Sequence, residues 1–125
     1  MVKQILSDEI IKQYLPVLTS CPLFNTLGTP ELTSYLHNAK VIIHTYKKND
    51  FIAISGDPME GIGVILEGSA LLTRENVLGQ RVIMANLEAS SMFGEALLFS
   101  KRPLWPATIK ALKPSKIMFI PLETF

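Results

Sequence analysis

Gly94-Glu95-Ala96-Leu97-Leu98 is the stretch of this chain best suited to hold a small ligand. A glycine lets the backbone approach a ligand with no Cβ in the way. The residues from Glu95 to Phe99 suit a short helix, and the first amides of a helix lack internal partners. Such an end receives anions readily. The carboxylate of Glu95 would repel a phosphate beside it, so it is better placed to accept hydrogen bonds from sugar hydroxyls. Alone this signal is weak, because Gly-Glu before an apolar run is common. Ten positions after Glu95 comes Trp105-Pro106-Ala107, with Lys101-Arg102-Pro103-Leu104 leading into it.

Other chemistry is sparse. The chain carries no HExxH, GxSxG or phosphate-binding P-loop pattern, and Glu95 has no partner base, so no enzyme is expected. The single cysteine, Cys21, forms no internal disulfide and fits a reducing cytoplasm. It is read as a small buried hydrophobe. His37 and His44 are read as a helix-surface and a strand residue. No metal site and no resident cofactor are expected.

The 125 residues fit one domain, and 48% apolar against 18% charged residues favours a folded core. A net charge of +1 gives no basic footprint for nucleic acid. No apolar run approaches the ~20 residues of a membrane span. The N-terminal apolar segment is too short, and followed too soon by acids, for a secretory signal.

Two elements must position the candidate site. In residues 1–39 the pattern is helical. Ser7 with Asp8 and Glu9 suits a helix start, and Ile10, Ile11, Tyr14, Leu15 and Leu18 recur at helical spacing, with Pro16 expected to end or kink the helix. Thr29-Pro30-Glu31 suits a second start, with Leu32, Tyr35, Leu36 and Ala39 on one stripe. In residues 40–125 short apolar runs alternate with turn residues, the pattern of antiparallel strands in a sandwich or barrel. Strands are expected at Val41–Tyr46, Phe51–Ile54, Ile62–Leu66, Ala70–Arg74, Arg81–Leu87, Ala107–Ala111 and Lys116–Pro121. In the fifth, Ile83, Ala85 and Leu87 form a fully apolar face.

From about Leu18 onward the order and spacing of these pieces resemble the effector domain of the catabolite activator and fumarate-and-nitrate-reduction regulator family. Cys21-Pro22-Leu23-Phe24, Ile54-Ser55-Gly56-Asp57 and Val64-Ile65-Leu66-Glu67-Gly68-Ser69 are similar to the family's approach, turn glycine and central strand. Gly94-Glu95-Ala96-Leu97-Leu98 is similar to the first half of its phosphate-binding cassette, and Ala107-Thr108-Ile109-Lys110-Ala111 to the strand that closes it. The resemblance implies a mainly β fold, a double-stranded β-helix (jelly roll) with short flanking α-helices. It implies one sensor domain of a bacterial transcription regulator over residues 1–125, homodimeric in the full-length protein. In that family a dimerisation helix and a helix-turn-helix follow; they are absent from these 125 residues, and DNA binding is expected only through such a missing C-terminal domain.

The chain departs from the pattern where the phosphate is held. Relatives that bind cyclic AMP have an arginine and then a serine or threonine before the alanine equivalent to Ala107. Trp105 and Pro106 stand there instead. An indole cannot make the bidentate contact of a guanidinium, and proline lacks both hydroxyl and N–H. Arg102 is the nearby cation that would have to substitute. Ser90-Ser91 also replaces the Gly-Asp that often precedes the cassette. Two readings of Trp105 stand: a plug that fills the pocket and leaves no small-molecule effector, or a platform on which a small anionic or aromatic effector stacks. Cyclic AMP is disfavoured. The candidate ligand residues are Gly94, Glu95, Ala96, Leu97, Arg102, Trp105, Pro106 and Ala107.

Overall fold

A computed structural model describes residues 2–5, 8–22, 24, 28–38, 40–95, 101 and 103–121. Among the described residues two helices, α1 (Asp8–Thr19) and α2 (Thr29–Asn38), accompany nine strands. The strands are β1 (Val2–Ile5), β2 (Ile42–Tyr46), β3 (Phe51–Ala53), β4 (Gly61–Glu67), β5 (Ser69–Glu75), β6 (Arg81–Glu88), β7 (Met92–Phe93), β8 (Thr108–Ala111) and β9 (Ser115–Pro121). They form a five-stranded sheet ordered β1-β2-β9-β4-β7 and a four-stranded sheet ordered β3-β8-β5-β6. All pairings are antiparallel. This is the expected jelly roll with flanking helices. The seven expected strands are present, with ends shifted by no more than one residue. β1 and β7 are additions.

Both faces of the five-stranded sheet are covered, so an inner strand can read as a continuous apolar run. In β4 every residue from Gly61 to Leu66 is buried. Alternation then divides the core in two. Ile43, Val64, Leu66, Met118 and Ile120 face the helices, packing with Ile11, Tyr14, Leu18, Leu32 and Leu36. Tyr46, Ile65 and Ile117 face the other sheet, packing with Ile52, Ala70, Ile109 and Trp105. Cys21 is fully buried on the helical side, as expected.

The structure sharpens three sequence expectations. Pro16 does not end α1, which runs on to Thr19. The hydroxyls of Thr19 and Ser20 both reach back to the Pro16 carbonyl, at 3.2 and 3.0 Å, supplying donors in the last turn. The second helix is capped one residue earlier than Thr29, since the Gly28 carbonyl accepts the first bond from the Leu32 N–H at 3.0 Å. The apolar face of β6 is only partly buried: Leu87 is buried, but Ile83 is 66% exposed. β6 lies at a sheet edge, and a register shift between Leu72 and Thr73 re-aims its far half.

Candidate functional site

Trp105 is positioned by a short backbone ladder. Its N–H donates to the Asp57 carbonyl at 2.9 Å, and its carbonyl accepts from the Gly56 N–H at 2.8 Å. The Met59 N–H donates to the Pro103 carbonyl at 2.9 Å, and Pro58 bridges Leu104. The chain is therefore extended here, and alternation sends Leu104 outward and Trp105 inward. Leu104 is 47% exposed and Trp105 only 8%. Gly56 makes this turn possible, with φ +91°.

The indole packs against the cassette glycine. Gly94 has φ +93°, and a Cβ placed on it would lie 3.1 and 3.4 Å from Trp105 Cζ3 and Cη2, and 2.9 Å from Met59 Cε. The Phe93 and Trp105 rings sit 5.7 Å apart, inclined at 44°, a geometry typical of favourable aromatic pairs. Trp105 thus belongs to the inter-sheet core, and its six-membered ring occupies the space in front of Gly94. Of the sequence-derived candidates, the fold brings Gly94 and Trp105 together. Ala107 is buried nearby in the core. Pro106 and Glu95 are exposed. Ala96, Leu97 and Arg102 lie outside the described residues.

Beside Pro106 opens a polar cleft of about 390 Å³, lined also by Ser55, Thr73, Arg74, Glu75, Arg81 and Thr108. The Ser55 N–H donates to Thr108 Oγ1 at 3.1 Å, tying its two walls together. Arg74 and Arg81 were not among the sequence candidates. Both line this cleft; across the β5–β6 hairpin Arg81 stands opposite Glu75, while Arg74 pairs with Val82. The hairpin's tip is built by Asn76, whose Oδ1 accepts from the Leu78 and Gln80 N–H groups, each at 2.9 Å. That Asn-x-x-Gly turn was the available signal: it folds β5 onto β6 and sets Arg81 directly across from Glu75.

Other acids do stand beside concavities. Asp57 and Glu60 line a separate cavity that Trp105 shares, and Glu75 lines the polar cleft. Among the described residues no group of three potential metal-ligating side chains converges, and no helix is long and apolar enough to cross a membrane.

The comparisons with known proteins agree with this architecture. The family model of the cyclic nucleotide-binding domain matches residues 43–125. The cAMP-activated global transcriptional regulator CRP of Pasteurella multocida (strain Pm70) is 30% identical over 83 residues, 66% of this chain and 40% of that protein. The chain therefore spans well under half of that relative. The N-terminal domain of a transcriptional regulator from Streptomyces coelicolor A3(2) superposes with a TM-score of 0.75 at 28% identity, over 87% of this chain and 74% of that one. The sensor domain of the transcriptional regulator DNR from Pseudomonas aeruginosa shares the fold, with a TM-score of 0.78 at 23% identity, over 93% and 76% of the two chains. Since the family model covers well over half of the sequence, the chain belongs to the cyclic nucleotide-binding domain family.

Proposed function

We propose that this chain is the effector-sensing domain of a bacterial transcription regulator, acting in the cytoplasm, whose cradle no longer takes a cyclic nucleotide in the family's manner. The observation that carries the reading is the Trp105 ring packed against Gly94, within the inter-sheet core. A phosphate in front of the cassette glycine would have to displace a buried indole, and no arginine stands at position 105 to receive it. Losing such a charged partner costs about 2–5 kcal/mol of binding, roughly 30-fold to several-thousand-fold in affinity.

Regulation would run by population shift: an effector binds one arrangement of the domain better than another, and a DNA-binding segment outside these residues, in a homodimer, reads the difference. The likeness to a cAMP-activated regulator supports the regulatory class. The polar cleft beside Pro106, where Arg81 stands opposite Glu75, offers a place for a small polar effector. The test is a thermal-shift screen against cyclic AMP, cyclic GMP and small carboxylic and aromatic acids. An acid should raise the melting temperature by several degrees while cyclic AMP does not. A shift of several degrees with cyclic AMP would sink the lost-clamp reading, and sequence-specific promoter binding by this chain alone would sink the division of labour.

The indole in front of Gly94 also favours a second reading, a jelly roll that serves as an interaction domain with no small-molecule effector. On that reading no compound in the screen stabilises the protein.

A further inference from the structure

A cavity of about 280 Å³ opens between the sheets, on the side of β2, β3 and the Asp57–Glu60 turn. Its walls include His44, Tyr46, Trp105 and Phe119, and its only carboxylates among the described residues are Asp57 and Glu60. No lysine or arginine is among the described residues that line it. The rings form one connected series. His44 stands 6.2 Å from Tyr46 and 5.6 Å from Phe119, Phe119 stands 6.1 Å from Phe93, and Phe93 stands 5.7 Å from Trp105. Phe51 is a further wall, but Lys110 Nζ already lies 6.0 Å from its ring centroid, so it is left out of the cation-facing set.

Aromatic faces and nearby carboxylates attract the same kind of guest. The π-electron face of a ring is negative and draws cations, most strongly those that shed water easily. Asp57 and Glu60 are exposed at the rim, where they add negative potential without a desolvation cost of their own. That potential reaches inward: the Tyr46 phenol is pushed up to about 12, chiefly by burial, then by the charges of Glu60 and Asp50. The volume is near the lower end for ligand pockets, which suits a compact head group and excludes a nucleotide.

We propose that this cavity binds a small methylated ammonium ion, its methyl groups against Tyr46, Trp105 and Phe119 and its charge balanced by Asp57 and Glu60. The site is distinct from the cassette and does not require the regulatory role proposed above. An anion-bearing ammonium, such as phosphocholine, is disfavoured because its phosphate would meet the two carboxylates.

Trp105 is the only tryptophan, so its fluorescence reports on this wall directly. The experiment titrates the protein near pH 8, at constant ionic strength, with choline, with its neutral isostere 3,3-dimethylbutan-1-ol, and with phosphocholine. Choline should change the emission saturably, with an affinity at least about tenfold above the neutral isostere and above phosphocholine. The double variant D57N/E60Q, checked for an unchanged melting temperature, should weaken choline by about fivefold. Amide shifts in a heteronuclear NMR titration should concentrate on residues 42–60 and 105–121. Equal binding of choline and the neutral isostere, an unaffected double variant, shifts centred elsewhere, or no saturable response up to about 50 mM would each overturn the proposal. Because the binding arm of this experiment is a cation, its outcome can be told apart from that of the acid and cyclic nucleotide screen.

Discussion

Replacing Trp105 with alanine separates a plug from a ligand platform. The indole is 8% exposed and packs with Phe93, Met59 and Gly94. Truncating a buried tryptophan removes its transfer free energy and leaves a cavity, about 3–5 kcal/mol together. A domain of this size has about 5–15 kcal/mol of stability, so W105A should fold but with a large part of its margin gone. Urea unfolding followed by far-ultraviolet circular dichroism should show that loss, and the melting temperature should fall by roughly 10–20 °C. The neighbour Leu104, 47% exposed, gives the control, since L104A should cost under about 1 kcal/mol. If W105A also costs under about 1 kcal/mol, the indole is not part of the core. The argument that it occupies the space before Gly94 would then fail.

The double variant W105R/P106S restores the residue types of the phosphate clamp and should gain cyclic AMP affinity by about 30-fold or more over the parent, read by calorimetry; no gain would mean that the cradle is altered beyond these two residues. G63A should cost about 3 kcal/mol or more, because its Cβ would lie 2.1 Å from Phe93 Cζ. G79A has nothing within 4 Å and pays only for φ +78°, about 1–2 kcal/mol; the reverse order in chemical denaturation would refute the packing. The Tyr46 phenol ionises near 10 in the unfolded chain and about 12 when folded. Its contribution is therefore intact below pH 10 and lost as the pH rises to 12, with a slope of up to about 1.4 kcal/mol per pH unit. Y46F should show a shallower alkaline fall than the parent. Tyr14 donates its hydroxyl to Glu67, joining α1 to β4, and Y14F should cost about 0.5–1.5 kcal/mol in the same assay.

Local pattern carried most of the architecture. β4 was visible because both its faces are buried, and the β5–β6 hairpin because Asn76 and Gly79 mark its turn. β1 was not, since Val2–Ile5 pairs with residues about forty positions away and has no turn to announce it. β7 has two residues and exists only through its pairing with Gly63 and Val64. The candidate site divides on the same principle. The pairing of Gly94 with Trp105 could be anticipated, because a family pattern joins them. The cleft of Arg74 and Arg81 depends on a register that a bulge shifts. The aromatic cavity draws on β2, β3, the Asp57–Glu60 turn, Trp105 and β9, a convergence that no spacing in the sequence encodes.

Position 105 bears on what an effector can do in this domain. A guanidinium buried there would leave the empty cradle with an uncompensated charge, and an incoming phosphate would relieve it. Occupancy would then carry a large free energy difference with which to bias a conformational equilibrium. An indole reverses the balance. With Trp105 packed on Phe93 and Gly94, the empty state is already complete, and a ligand at the cassette must first undo that packing. A ligand can shift an equilibrium only by its differential affinity for the two states. An occupant that adds contacts without displacing the indole avoids the cost of undoing that packing. The aromatic cavity meets that condition and still uses Trp105 as a wall. A guest there would act on the same ladder, from Gly56 to Met59, that holds Trp105 in place.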